Sequence, residues 1–140
     1  METVTYETTL EAPPEAVRAV IERDPARFTE AAGYDSVSKD GDTIRVARRM
    51  GLATIELTLR IEAVPDAVLA LDQTEGIFDR MWTEYRVEAA PGGSRVVAET
   101  EFTLGNVLGP VLDAALIADR RRSEFVSQFE YLADALPAEA

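Results

Sequence analysis

Polar and apolar residues alternate one for one at the start of the chain. Val4, Tyr6, Thr8 and Leu10 fall between Thr3, Thr5, Glu7, Thr9 and Glu11. Period two with β-branched residues predicts a strand with one solvated face. Ala12-Pro13-Pro14 ends it. Pro14 suits the first turn of a helix and Glu15 adds favourable charge there, so Ala16, Val17, Ala19, Val20 and Ile21 predict a short helix. Asp24-Pro25 breaks that helix, and a second short one is predicted over 26–32, stopped by Gly33.

From Tyr34 the pattern is β. A strand over 34–39 runs into Asp40-Gly41, a strong hairpin signal. Thr43 to Met50 follows, with Ile44 and Val46 on one face and Arg48 continuing it; a slip at the far end of this strand would bring Arg49 inside instead. After Gly51, Ile55, Leu57, Leu59 and Ile61 alternate with Glu56, Thr58, Arg60 and Glu62, the clearest amphipathic strand in the chain. Val64-Pro65-Asp66 turns it. Strands are then predicted over 67–75, closed by Gly76, and over 78–89, with Met81, Thr83, Tyr85 and Val87 on one face. Pro91-Gly92-Gly93 makes the last hairpin. Val96, Ala98, Thr100, Phe102 and Leu104 alternate against Arg95, Val97, Glu99, Glu101 and Thr103.

A linker over 105–109 precedes Pro110, which fits the first position of a helix. Neither Pro nor Gly recurs until Pro137, so one helix of about 26 residues, roughly 39 Å, is predicted. Its stripe reads Val111, Ala115, Ala118, Arg122, Phe125, Phe129, Leu132 and Leu136, widened by Leu112, Leu116, Val126 and Ala133. The steps of four and three suit one buried face. The order is one strand, two short helices, six strands and a long helix. Strands joined by tight turns make an antiparallel meander, and the helix must bury its stripe on the sheet's inner face. The expectation is one α+β domain over 1–140, with a curved seven-stranded antiparallel sheet wrapped around the C-terminal helix.

Composition narrows the chemistry. The 140 residues contain no cysteine and no histidine. Disulfides, thiolate nucleophiles, Cys/His zinc sites and histidine acid–base devices are therefore excluded, and neither a metal nor a cofactor is expected. The formal charge is −12. Nucleic-acid binders present a basic face, and apart from Arg120-Arg121-Arg122 and Arg48-Arg49 there is none here, so no nucleic-acid partner is expected. Lys39 is the only lysine among 14 basic residues, a balance that fits a salty cytoplasm or a GC-rich genome, and equally an ordinary acidic mesophilic protein. No apolar run reaches the roughly 20 residues a bilayer demands, and the first ten residues lack a signal-peptide pattern. The reading is cytoplasmic, without integral membrane association.

This order of elements resembles the START-like, or SRPBCC, superfamily of polyketide cyclases and dehydrases, lipid-transfer domains and coenzyme Q-binding proteins. Three stretches carry the likeness. Leu10, Ala12, Pro13, Pro14, Glu15, Ala16 and Val17 look like the family's strand-to-helix junction. Tyr85 to Glu88, then Gly92 to Val96, look like its penultimate hairpin. The long terminal helix after a Gly-containing linker completes it, so the resemblance covers essentially the whole chain. One departure is Arg18, where many relatives carry an aromatic residue. The resemblance implies the helix-grip fold and a cavity between sheet and helix for an apolar or amphipathic small molecule.

Arg122 interrupts the apolar stripe, and a buried guanidinium must be paired. One reading has it reach into the cavity and anchor a ligand oxygen. The other has it snorkel to solvent or hold Asp119. Arg48 is a second candidate anchor. Met81 and Tyr85 share the inner face with Phe102, and Tyr6 and Phe28 are similar aromatic positions. Leu57, Leu59 and Phe125 complete the candidate lining. For all of these, plain core packing is the competing reading. Asp72 and Glu75 flank the sheet, and an inward carboxyl there would have a raised pKa suited to acid–base work. Trp82 falls on the outer face, where an exposed indole offers a weak homodimer contact. No catalytic residue is assigned. The function expected first is binding or carriage of a hydrophobic small molecule; the alternatives are a cyclase or dehydrase and a protein-interaction accessory domain.

Overall fold

Strand β1 (Glu2–Leu10) is followed by helices α1 (Pro14–Arg23) and α2 (Pro25–Glu30). Six strands come next: β2 (Ser36–Asp40), β3 (Thr43–Met50), β4 (Ala53–Glu62), β5 (Leu69–Glu75), β6 (Phe78–Ala90) and β7 (Gly93–Leu104). Helix α3 (Ala114–Ala135) ends the sequence of elements. This computed structural model describes residues 1–104 and 114–136. The expected linker over 105–109, the helix start at Pro110, and Val111 and Leu112 lie outside the described residues. None of the described helices is long and apolar enough to cross a membrane.

The curved sheet has the order β1-β7-β6-β5-β4-β3-β2, antiparallel throughout. It is a meander of β2 to β7, with β1 added along the free edge of β7, and the two short helices bridge the opposite edges. Two irregularities interrupt the ladders, one between Thr58 and Leu59 where β4 meets β5, and one between Phe78 and Arg80 where β6 meets β7. An extra residue on one strand bends it and increases its twist, and both irregularities lie beside the cavity described below.

Pro14 opens α1 and Pro25 opens α2, where Asp24 accepts a hydrogen bond from the Arg27 amide at 3.0 Å. Val17, Val20 and Ile21 of α1 and Phe28 of α2 are buried. Arg18 leaves this packing intact: its Nη2 donates to Val87 O at 2.7 Å across the hairpin strand β6. Strand β2 starts two residues later than the sequence pattern predicts. Tyr34 precedes the ladder, and the Asp35 carboxylate accepts from the Arg49 amide at 2.6 Å.

The core is the inner face of the sheet closed by α3. Ile44, Val46, Leu57, Leu59, Leu71 and Val96 meet Phe125, Phe129 and Leu132 of the helix. Helix α3 crosses β1 and β7 and touches α1 and α2. The expected helix-grip arrangement is therefore the observed one.

The buried face of α3 differs from the apolar stripe. Ile117, Arg121, Glu124, Phe125, Gln128, Phe129 and Leu132 are buried, whereas Ala115 and Arg122 are exposed. Successive helical residues point about 100° apart, so the inward guanidinium belongs to Arg121 and not to Arg122. The apolar stripe misplaced the face because Arg121, Glu124 and Gln128 are polar yet buried, each with a partner on another element. Asp119 is also exposed.

Candidate functional site

Period two along β3 places Arg48 on the inner face after Ile44 and Val46, with 13% of its side chain exposed, while Arg49 faces solvent. Its guanidinium lies over the Tyr34 ring, 4.9 Å from the centroid. Arg48 Nη2 donates to Glu124 Oε2 at 2.7 Å and to Ala32 O at 3.3 Å, just beyond α2. The other carboxylate oxygen of Glu124 accepts from Arg121 Nη1, one turn earlier on α3. Glu124 thus bridges two guanidiniums at the junction of sheet and helix.

Arg121 continues the network into the sheet. Its Nη2 donates to Thr83 Oγ1 at 2.9 Å. Thr83 and Thr100, facing each other on β6 and β7, are 2.9 Å apart, and Thr100 donates to Trp82 O at 3.1 Å. Since the Thr100 proton is used on the carbonyl, Thr83 is the donor to Thr100. Every proton in this chain points the same way, from the helix cation to the strand carbonyl. A second chain runs deeper: Tyr85 OH donates to Gln128 Oε1 at 2.8 Å, and Gln128 Nε2 donates to Phe28 O at 3.2 Å.

Burial and charge set the ionisation of these groups. Burial pushes the Tyr85 phenol up to about 12, partly opposed by Arg121 and the hydrogen bond to Gln128. Burial, reinforced by the Glu124 carboxylate, raises Tyr34 as well. For Arg121, burial pulls downward, but Glu124 together with Tyr34 and Tyr85 more than offsets it, so the guanidinium holds its proton more tightly than usual. At neutral pH the site therefore holds two neutral phenols and a firmly charged Arg121.

Part of this network borders a cavity of about 40 Å³ between the sheet and α3. Its apolar wall is Ile55 and Leu57 of β4, Ile77, Phe78 and Met81 around β6, and Ile117 of α3. Its polar side is Tyr34, Arg48, Arg121 and Glu124, with Arg120 towards solvent. Gln73 shapes the wall by clasping the β5–β6 turn: its amide donates to Phe78 O at 2.8 Å and accepts from Phe78 N at 3.3 Å. A smaller void of about 10 Å³ lies deeper, beside Leu59, Thr83, Tyr85 and Gln128.

Of the candidate residues, Arg48, Leu57 and Met81 line the larger cavity, and Leu59, Met81 and Tyr85 the deeper void. Four others are packed elsewhere in the core. Tyr6 stacks on Phe129 at 5.4 Å, and Phe28 sits edge-on to Tyr85 at 4.9 Å. Phe102 packs on Phe78 at 5.4 Å, and Phe125 on Tyr85 at 5.9 Å. Arg122 is outside, so the anchor expected of it has no access to the cavity. Asp72 points outward, 3.8 Å from Arg60, and Glu75 is exposed. Trp82 is half-buried on the outer face. Sequence reasoning missed Tyr34, Arg121, Glu124 and Gln128. A signal for the helix residues existed: Arg121, Glu124 and Gln128 recur at steps of three and four, a polar stripe running beside the apolar one.

The chain matches, over residues 1–135, the family described as polyketide cyclase / dehydrase and lipid transport. No curated protein matches the sequence. Solved structures share the fold at low identity. TTHA0849 from Thermus thermophilus has a TM-score of 0.75 at 18% identity, with 95% of each chain covered. The di-domain ARO/CYC BexL from the BE-7585A biosynthetic pathway has a TM-score of 0.71 at 16% identity, covering 99% of this chain and 51% of BexL. A START superfamily protein from Mycobacterium smegmatis has a TM-score of 0.66 at 8% identity, with 96% of each chain covered. The family match along nearly the whole chain means that this protein, with its helix-grip fold, belongs to the polyketide cyclase/dehydrase and lipid transport family.

Proposed function

We propose that this protein binds or carries an apolar small molecule, a lipid, quinone or polyketide-like compound, between the sheet and α3. The observation that carries this reading is the division of the cavity into an apolar wall and a cluster of hydrogen-bonding groups on the opposite side. Small-molecule sites are built that way, from apolar surface with a few placed polar groups. A void of about 40 Å³ has room for one or two waters. A ligand therefore enters by displacing side chains, and Met81, unbranched and adaptable, is the wall residue best suited to move.

Binding is favoured over cyclisation by the state of the polar groups. Among the described residues, the one carboxylate lining the cavity is already held by two guanidiniums. Both nearby phenols are kept neutral by burial. A general base needs a group ready to take a proton near neutral pH, and with no histidine in the chain the described residues offer none there.

Native mass spectrometry of the purified protein, followed by calorimetric titration with a panel of lipids, quinones and aromatic polyketides, tests the reading. Saturable one-to-one binding by at least one class is expected. A protein that carries nothing and binds no member of the panel would overturn it. Turnover of a polyketide substrate without stable binding would move the assignment to the cyclase alternative.

A further inference from the structure

Donors outnumber acceptors at the polar end of the cavity. A guanidinium carries five N–H donors. Arg48 makes its hydrogen bonds through Nη2 alone, and Arg121 makes its bonds through Nη1 and Nη2. The Nε of each is sealed from solvent and has no hydrogen-bond partner among the described residues. Tyr34 accepts from Arg121 Nη1 at 3.5 Å, and its own hydroxyl proton has no acceptor among the described residues. Against these donors stands, among the described residues, a single acidic side chain, Glu124, whose two oxygens each take one guanidinium.

The charge balance says the same. The molecule as a whole carries −12, yet among the described residues its cavity is lined by Arg48, Arg120 and Arg121 against Glu124. Arg120 is exposed and can be answered by water. Arg48 and Arg121 are not: 13% and 9% of their side chains are accessible. Among the described residues, one carboxylate between two buried guanidiniums leaves one positive charge over. Such a charge is costly in a protein interior unless an oxygen answers it, and it lies next to a void of head-group size.

We propose that the ligand is an amphiphile whose polar end is a singly anionic oxygen group, a carboxylate or an ionised phenol, seated against Arg121, Arg48 and the Tyr34 hydroxyl. This rests on the cavity reading above and specifies its ligand class. The apolar body lies along the wall of Leu57, Phe78 and Met81. Glu124 is then a counter-ion with a defined task. It holds the two guanidiniums apart and in place, and it sets the surplus charge at one. A neutral ligand leaves that surplus unanswered.

The test is calorimetric titration at neutral pH and constant ionic strength with two matched pairs: decanoate against decanol, and naphthoate against methyl naphthyl ketone. In at least one pair the acid is expected to bind at least about tenfold more tightly than its neutral partner, the scale of a charge-assisted hydrogen bond. The pair that shows it tells an alkyl body from an aromatic one. Arg121→Met and Arg48→Met should bring the acid-to-neutral ratio towards one. Glu124→Gln, which frees a second positive charge, should widen it. This gain separates ligand recognition from a merely structural ion pair, and it does not depend on the arginine variants folding. Equal affinities within both pairs, or an unchanged ratio in Glu124→Gln, overturn the acid-head inference while the cavity reading stands. If none of the four probes binds, the acid-head inference falls, while the cavity reading stands or falls with the panel of lipids, quinones and polyketides.

Discussion

Arg121 is held inside a cage of Glu124, Thr83 and Tyr34, with its guanidinium 5.1 Å from the Phe125 ring centroid. Its neighbour Arg122 reaches solvent. Removing Arg121 takes a charge-assisted hydrogen bond from Glu124, strips Thr83 and Tyr34 of their donor and leaves a void, losses that together cost about 3 kcal/mol. Arg121→Ala is therefore expected to lower stability by about 3 kcal/mol, and Arg122→Ala to stay within about 0.5 kcal/mol, as for surface substitutions. Urea denaturation of the two variants checks this, and similar midpoints would contradict the burial assignment. The residue type at the anchor was legible in the sequence, since a guanidinium near the middle of the last helix stood out. Its number was not. Choosing between adjacent arginines depends on where the helix face is centred, and three buried polar residues shift that centre away from the apolar stripe.

At the scale of elements, the β6–β7 hairpin joins the far end of β1 to the start of α1. Leu10 pairs with Ser94, and Ser94 Oγ donates to Ala12 O at 2.6 Å in a buried position. A Cβ on Gly93 would fall on the carbonyl oxygen of Leu10. Gly92, at φ +78°, has open space around its Cβ position. Gly93→Ala must push two strands apart and is expected to cost about 3 kcal/mol. Gly92→Ala meets only the left-handed backbone penalty of about 1 kcal/mol. Comparing their urea midpoints tests this, and equal losses would show that the strand junction yields. Hairpin positions were readable because turn residues and period two are local properties. The two strand irregularities were not, since a bulge is a relation between two strands. The β5 strand likewise starts at Leu69, two residues later than its composition suggests, after the turn through Asp66 at φ +69°.

The whole molecule responds to alkali through its buried phenols. Burial raises Tyr85 from 10.0 up to about 12 and raises Tyr34 as well. In the unfolded chain both ionise near 10. The stability owed to their neutral forms is thus complete below pH 10 and is lost as pH rises through 12. Spectrophotometric titration should show their phenolate signals appearing together with loss of the circular dichroism signal, in one cooperative step. In urea both should titrate at the ordinary value. Ionisation of all tyrosines near 10 in the folded protein would mean that the cavity is open to water.

Taken by itself, the sequence determined the order of elements, the inward parity of Arg48, Leu57, Met81 and Tyr85, and the family, because each of these follows from spacing along the chain. The tertiary structure decided that Arg121 and not Arg122 faces inward, that Tyr34 closes over Arg48, and that Glu124 stands between two guanidiniums. The first and last depend on the rotation of one helix about its axis, and the second on how the segment after α2 meets β3. That rotation is set by the hydrogen-bond partners waiting on the sheet, Thr83 and Tyr85 above all, and no periodicity within the helix contains them.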